Sequence, residues 1–342
     1  MSSFTAAPEE SRGHRLVDAH GRTIRDMRLS ITDRCNFRCT YCIGTGVRFA
    51  PKGTLLRTDE FARVARLATE LGVQKIRLTG GEPTLHPDLL EIVASIREAC
   101  DASVALITNG SLLTPATLAA LRAAGLARIT ISLDTLRPER FSSITRSLSG
   151  PAAVLSAIEH SIAAGLGPVK VNAVLLRGVN DDEAADLADL ARRLAIEVRF
   201  IEYMPLDSSG AWNASLWVSA AETRQAISRT HPLREVAPDD PSSTARVFEF
   251  ADGAPGRVGF IAPVSSPFCG ACSRIRITAD GMVRPCLFSH DEFSLRELLR
   301  GGGTDMELRE FLCDAAWNKQ AGHGITSAGF RQPLRVMSAI GG

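Results

Sequence analysis

Three thiols stand within one short loop. Cys35, Cys39 and Cys42 close the run Ser30-Ile31-Thr32-Asp33-Arg34-Cys35-Asn36-Phe37-Arg38-Cys39-Thr40-Tyr41-Cys42, at C-x3-C-x2-C spacing. A loop of this kind can hold three corners of a cubane iron–sulfur cluster and leave the fourth iron without a protein ligand, open for chemistry. Tyr41, just before the last Cys, supplies an aromatic wall. The competing reading is a zinc loop, since C-x2-C is also zinc spacing. Structural zinc ligands usually arrive as two pairs, whereas this triplet stands alone and the next thiol is Cys100.

A second triplet, Cys269, Cys272 and Cys286, follows at C-x2-C-x13-C spacing. It reads as a second cubane or as a zinc ribbon completed by His290 or Cys313. The isolated Cys100 and Cys313 read as packing residues. Eight Cys, six of them in triplets, are no disulfide framework in 342 residues; they point to a reducing compartment, the cytoplasm. A net charge of +1 gives no general basic footprint, which argues against nucleic acid. No apolar run approaches the ~18 residues of a membrane span. The start has no basic segment leading into an apolar stretch, so residues 1–15 are expected as a disordered lead rather than a signal peptide.

Along the chain, apolar alternation predicts strands at Met27–Thr32, Lys75–Thr79, Ser103–Thr108, Arg128–Leu133, Val169–Leu176 and Glu197–Met204. Helical periodicity predicts helices at Thr58–Leu71, Pro87–Cys100, Thr114–Ala124, Pro151–Ala164 and Asp181–Ala195. Alternating strands and helices imply a parallel sheet of right-handed βα units. No G-x-G-x-x-G follows the first strand, which disfavours a dinucleotide fold. Instead glycine or polar residues end nearly every strand: the Cys loop, Gly80-Gly81-Glu82, Thr108-Asn109, Ser132–Asp134, Asn172 and Tyr203-Met204. That distribution fits an α/β fold of the incomplete (β/α)6, TIM-like barrel type, with its site at the C-terminal rim. The expected division is a partial barrel over 16–205 and a cluster-binding, closing region over 206–342. In the latter, a helix at Ser215–Ser228, a loop-rich Val236–Thr244, strands at Arg246–Phe250 and Arg257–Ile261, and a hairpin Arg274–Thr278/Met282–Pro285 turning at Asp280-Gly281 are expected. Leu295–Cys313 reads as helical, broken at Gly301–Gly303.

The Cys35–Cys42 loop resembles the signature of the radical S-adenosylmethionine (SAM) enzymes. In that family the open iron chelates SAM, and reductive cleavage releases a 5′-deoxyadenosyl radical. Together with the second triplet the resemblance narrows to the GTP 3′,8-cyclase family of molybdenum cofactor biosynthesis. It rests on Leu29–Asn36, Ile201-Glu202-Tyr203-Met204, Pro267-Phe268-Cys269 through Arg284–Phe288, and the Gly341-Gly342 end. It implies two [4Fe–4S] clusters, with Cys35, Cys39 and Cys42 on the SAM side and Cys269, Cys272 and Cys286 on the substrate side. By position it implies SAM contacts at Tyr41, Gly81, Ser132 and Met204. It implies GTP contacts at Arg28, Arg77, Thr108, Lys170 and the segment Arg274-Ile275-Arg276, with Arg199 near the same rim, and a catalytic tail at Gly341 and Gly342. Glu82 or nearby carbonyls would accept from the SAM ammonium.

The implied reaction is radical cyclisation of GTP to (8S)-3′,8-cyclo-7,8-dihydroguanosine 5′-triphosphate. The implied partners are an electron donor such as flavodoxin or ferredoxin and, for the product, cyclic pyranopterin monophosphate synthase; the sequence leaves room for a homodimer. The chain departs from the family pattern at Ile43–Val47 and at Ser273. The alternative is a radical SAM enzyme with an auxiliary cluster acting on a related nucleotide or on a peptide.

Overall fold

The structure, a computed structural model, describes residues 5–44, 46–206, 212–238 and 240–341. Six parallel strands form in chain order as the alternation requires: β1 (Asp26–Thr32), β2 (Lys75–Gly80), β3 (Ser103–Thr108), β4 (Arg128–Ser132), β5 (Lys170–Leu175) and β6 (Glu197–Glu202). In β3, β5 and β6 every second residue is fully buried and the intervening ones are half-buried. The first set packs against helices. The second set, which includes Asn172 and Arg199, looks into a cavity on the concave side.

The covering helices are α1 (Thr58–Glu70), α2 (Leu89–Ala99), α3 (Pro115–Ala123), α4 (Pro138–Thr145), α5 (Pro151–Ala163) and α6 (Ala184–Leu194). In α6 Leu187, Ala188, Leu190 and Ala191 turn one face inward while Arg192 and Arg193 stay outside, the apolar stripe that lets a surface helix dock on a sheet. Helix α4 is absent from the sequence expectation. It is a short segment started by Pro138 and ended by Arg146 in the left-handed region, too brief for its period to register.

The C-terminal region extends the same sheet. Strand β7 (Leu233–Val236), β8 (Arg246–Phe250) and β9 (Arg257–Ile261) join one edge, β9 lying parallel to β6. Strand β10 (Arg274–Ile277), β11 (Met282–Arg284) and β12 (Phe293–Ser294) join the other, β10 lying parallel to β1. The two expected hairpins are present, and they cap both open edges of the barrel strands. The loop between β7 and β8 then crosses to the opposite edge. Its Asp240 meets Arg25 at 3.4 Å and Lys75 at 3.5 Å, and Ser242 Oγ lies 2.9 Å from Ser273 Oγ.

The expected helix at 215–228 is shorter, α7 (Ala220–Ser228), because Ser219 and Glu222 form a capping box that sets its start. The Gly301–Gly303 break separates α8 (Leu295–Arg300) from α9 (Asp305–Trp317). The lead is a correction over residues 5–15. Ala7 N–H donates to Asp314 Oδ1 at 2.8 Å, Arg12 grips both oxygens of Asp314, and Asn318 Nδ2 donates to Thr5 O at 2.7 Å, so this stretch is pinned to α9. Among the described residues no helix is long and apolar enough to cross a membrane.

Candidate active site

The first thiol loop leaves β1 and is held from two sides. Arg38 N–H and Thr40 N–H donate to the carbonyls of Thr145 and Ile144 at 2.8 and 2.9 Å, so the exposed C-terminal carbonyls of α4 fix the loop. Phe37 packs edge-on to Phe141 of the same helix, with centroids 5.7 Å apart. On the other side Gly81 N–H donates to Thr32 O at 2.8 Å and Glu82 N–H to Arg34 O at 2.7 Å. A Cβ at Gly81 would lie 2.3 Å from Arg34 O, so glycine is required there for the approach of the Cys loop's own backbone.

Glu82 has a structural role as well. Its carboxylate is 1% exposed and already accepts from Thr84 N and Oγ1, Thr108 Oγ1 and Asn109 N, tying the ends of β2 and β3 together. Oε1 takes three of these donors and Oε2 only Asn109 N, so the carboxylate, which lines the cavity, keeps acceptor capacity on Oε2, and burial raises its pKa. Thr108, which lines the cavity, has its hydroxyl spent on Glu82 at 2.6 Å and on Gly110 N at 3.0 Å. Tyr41 OH donates to Asp134 Oδ2 at 2.7 Å, and Asp134 is pushed up to about 6 by burial. Burial also pushes the Cys35 and Cys42 thiols up to about 11 and about 12, with Cys39 raised further by the neighbouring Cys42.

The second triplet lies across the same cavity, between the end of β9 and the β10–β11 hairpin. Arg22, paired with buried Asp18 at 2.6 Å, donates to the carbonyls of Cys269, Gln320 and Ala321. Lys319 donates to the carbonyls of Arg274 and Pro285. Arg274 Nη2 reaches Cys272 Sγ at 3.3 Å. Burial opposes the Cys272 thiolate, yet Arg274 and Lys319 outweigh it and bring the thiol down to about 7. Neither fourth ligand named for a zinc ribbon is at hand: Cys313 is buried in the core, donating to Ser11 and Arg15 carbonyls, and His290 bonds to Arg331 O. Among the described residues no group of three or more His, Cys, Asp and Glu side chains is arranged to hold a metal ion by itself. The donor set facing the cavity from each triplet is thiol only, which suits iron–sulfur chemistry.

Between the triplets the cavity measures about 360 Å³, and all six triplet thiols line it. Tyr41, Gly81, Ser132, Met204, Arg28, Arg77, Thr108, Arg199, Arg274 and Arg276 line it as well. Register explains the cationic wall: Arg276 of β10, Arg28 of β1 and Arg77 of β2 are cross-strand neighbours in one row. Arg77 is paired with Asp26 at 2.7 Å, and Arg199 is paired with Glu197. Arg28 Nε is buried without a hydrogen-bond partner among the described residues. Burial, then Arg77, lower its pKa to about 10 despite Asp26.

Two expected contacts are occupied or turned away. Lys170, on the same strand face as Asn172, bonds to Glu197 at 3.2 Å, and burial lowers it to about 8. Ile275 alternates to the opposite face and is 1% exposed in the core, so only its backbone is near the wall. The wall contains Lys75 instead, which sequence reading passed over. It stands two residues before Arg77 on the same strand face, as Arg274 does to Arg276.

The tail reaches this wall. Arg335 bonds both oxygens of Asp280 at 2.9 Å and Glu292 at 2.8 Å, anchoring the approach to α10 (Met337–Ile340). Met337 and Ser338 line the cavity, and Ile340 packs with Leu206 and Phe288. Arg276 donates to the carbonyls of Ile340 and Gly341. Gly341 has φ +73°, and a Cβ there would lie 2.9 Å from Thr79 Cγ2. Gly342 lies outside the described residues.

With this geometry in hand, comparison with known proteins is decisive. The profile of the Radical SAM superfamily matches residues 29–191, and that of Molybdenum Cofactor Synthesis C matches residues 196–325. The chain is 43% identical to the GTP 3′,8-cyclase of Streptomyces coelicolor over 96% of this chain and 97% of that one. The chain belongs to the GTP 3′,8-cyclase family. A cyclase of Corynebacterium glutamicum is 42% identical, covering 96% of this chain and 89% of that one. The molybdenum cofactor biosynthesis protein 1 of Homo sapiens is 42% identical over 90% of this chain, which spans 48% of that longer protein. Among solved structures, Streptococcus suis SuiB bound to S-adenosylmethionine shares the fold, with a TM-score of 0.58 at 16% identity over 86% of this chain and 71% of that one.

Proposed function

We propose that the chain catalyses radical cyclisation of GTP to (8S)-3′,8-cyclo-7,8-dihydroguanosine 5′-triphosphate, the first step of molybdenum cofactor biosynthesis. The observation that carries this reading is the single cavity lined by two thiol triplets with the row Arg276–Arg28–Arg77 between them. Cys35, Cys39 and Cys42 would hold one [4Fe–4S] cluster, and Cys269, Cys272 and Cys286 the other. When bound with SAM, the first cluster supplies one-electron reduction that yields a 5′-deoxyadenosyl radical.

The remaining work falls to the chain's own groups. Arg28, Arg274 and Arg276 have no carboxylate partner among the ion pairs of the described residues. A triphosphate answers that unbalanced charge, and guanidinium forks bind its oxygens bidentately. Tyr41, Gly81, Ser132 and Met204 would frame SAM on the first triplet's side, with Asp134 fixing the Tyr41 ring. Gly341 would close the phosphate end, its carbonyl already on Arg276. Holding ribose and adenosyl groups in register is the main contribution a protein can make to such chemistry.

The electron donor in this reading is a flavodoxin or ferredoxin, and the product passes to cyclic pyranopterin monophosphate synthase. The test is anaerobic reconstitution with iron and sulfide, followed by SAM, a strong reductant and GTP. Formation of the 3′,8-cyclised triphosphate with 5′-deoxyadenosine supports the reading; SAM cleavage with GTP recovered intact overturns it.

A further inference from the structure

The segment after α9 brings a residue to the cavity that sequence reading did not single out. His323 lines the wall beside Cys269, and a Cβ on its neighbour Gly322 would lie 3.9 Å from Cys269 Sγ. Its ring lies 5.2 Å from that of Phe288, which packs edge-on to Phe330 at 5.9 Å, so the imidazole has aromatic support. Nδ1 accepts the N–H of Ile325 at 3.2 Å. A ring nitrogen that accepts carries no proton, so in this arrangement the proton sits on Nε2. Nε2 is buried and makes no well-aligned hydrogen bond among the described residues, although the Pro263 carbonyl is close enough to the ring to favour its protonated form. A buried donor without an acceptor is uncommon and calls for an explanation.

We propose that His323 Nε2 donates to the 6-oxo group of the purine base seated at the second triplet, making it a specificity-determining residue. The assignment rests on the cyclase reading and on seating the purine base at the second triplet, the substrate side that the family resemblance implies. A 6-oxo purine presents an acceptor to this donor. A 6-amino purine presents hydrogens, leaving Nε2–H opposed and still unpaired. A site built to hydrogen-bond one functional group discriminates strongly against an analogue that lacks it. The phosphate row cannot make this distinction, since GTP and ATP carry the same triphosphate.

The test uses full-length protein reconstituted anaerobically, as parent, His323→Phe and His323→Gln. Phe keeps an aromatic ring beside Phe288 without a donor, and Gln returns an N–H donor without the ring. Dissociation constants are measured for GTP, ITP and ATP, with iron content determined for each protein. The parent should favour GTP and ITP over ATP. In His323→Phe, GTP and ITP should weaken about tenfold while ATP stays put, the scale of one net hydrogen bond. His323→Gln should recover part of that preference.

If iron falls in the Phe variant, His323→Leu is measured in its place. An unchanged GTP-to-ATP ratio in the variant overturns the assignment. So does an equal loss for all three nucleotides, which would mean that the imidazole serves the cluster or the packing. A parent that binds none of the three counts against the cyclase reading itself, and this assignment falls with it.

Discussion

The two thiol triplets face one cavity but are built in opposite ways. The first is local: one short loop, seated on the ends of β1 and β2 and on the carbonyls of α4. Its surroundings are of mixed charge, with Asp134 and Glu82 nearby and Arg38 on the Cys35 carbonyl, and burial pushes all three thiols up. The second is assembled from distant pieces, with Arg22 and Asp18 from the N-terminal region and Lys319 from beyond α9. Its surroundings are cationic, enough to bring Cys272 down to about 7 against its burial. Under the proposed function the contrast has a use. A site that is to hold a neutral or cationic ligand has no need of positive charge, whereas one that takes an anionic nucleotide does.

The largest test of this contrast exchanges one thiol in each loop. Cys39→Ser should abolish reductive SAM cleavage, read as 5′-deoxyadenosine. Cys286→Ser should keep some uncoupled cleavage and lose GTP turnover. If both variants lost cleavage equally, the division of labour between the triplets would collapse.

Gly341→Ala sharpens the same division from the tail. The substitution forces a Cβ against the Thr79 methyl at a positive φ. Turnover should fall by about 10²-fold, the scale of a small misplacement at reacting atoms, while SAM and GTP binding by dialysis persist. Equal binding and turnover in variant and parent would reduce the tail to packing.

Arg274→Ala addresses the cationic side alone. GTP binding should weaken by ~1.5–3 kcal/mol, the range for a hydrogen bond to a charged group, with SAM binding unmoved. Calorimetric titration of both ligands separates these outcomes. An equal loss for SAM would mean that Arg274 acts through general destabilisation.

The smallest effect concerns the anchor of the tail. Burial works against the Asp280 carboxylate, but Arg335 and Thr278 hold its pKa below the ordinary value. A carboxylate with a depressed folded-state pKa stabilises the fold above its unfolded pKa and loses that contribution as pH falls through the folded value. The loss therefore begins below about pH 3.9, the ordinary Asp range. Asp280→Asn at neutral pH should cost ~1 kcal/mol and speed hydrogen exchange over residues 335–341, leaving the first loop protected. Exchange unchanged at the tail would show that Glu292 alone anchors Arg335.

What the sequence disclosed follows the same divide. The barrel strands and the first loop depend on local periodicity and spacing, and they were legible. Arg274 and Arg276 came from the family resemblance rather than from any local pattern. Helix α4 was not legible, because eight residues between a proline and a left-handed Arg146 carry too little pattern. The structural ties of Glu82 were not legible either, because its four donors come from Thr84, Thr108 and Asn109, a convergence only the fold creates. The pairing of Lys170 was hidden for the same reason, its partner Glu197 sitting on the next strand. The residues gathered around the second triplet lie far apart in the chain, so no window of sequence could assemble them.

The pairing of β1 with β10 and of β6 with β9 has a consequence for how the protein is made. A ribosome delivers the N-terminal strands long before Arg274 emerges, so β1 waits with a bare edge of unpaired peptide groups while most of the chain is synthesised. Exposed edges of this kind template association between molecules, and long-range pairing is slow to form. Nascent or truncated chains ending before Ile261 leave both edges bare and should accumulate as aggregates, and slower translation at low temperature should favour soluble product only for chains that include β10.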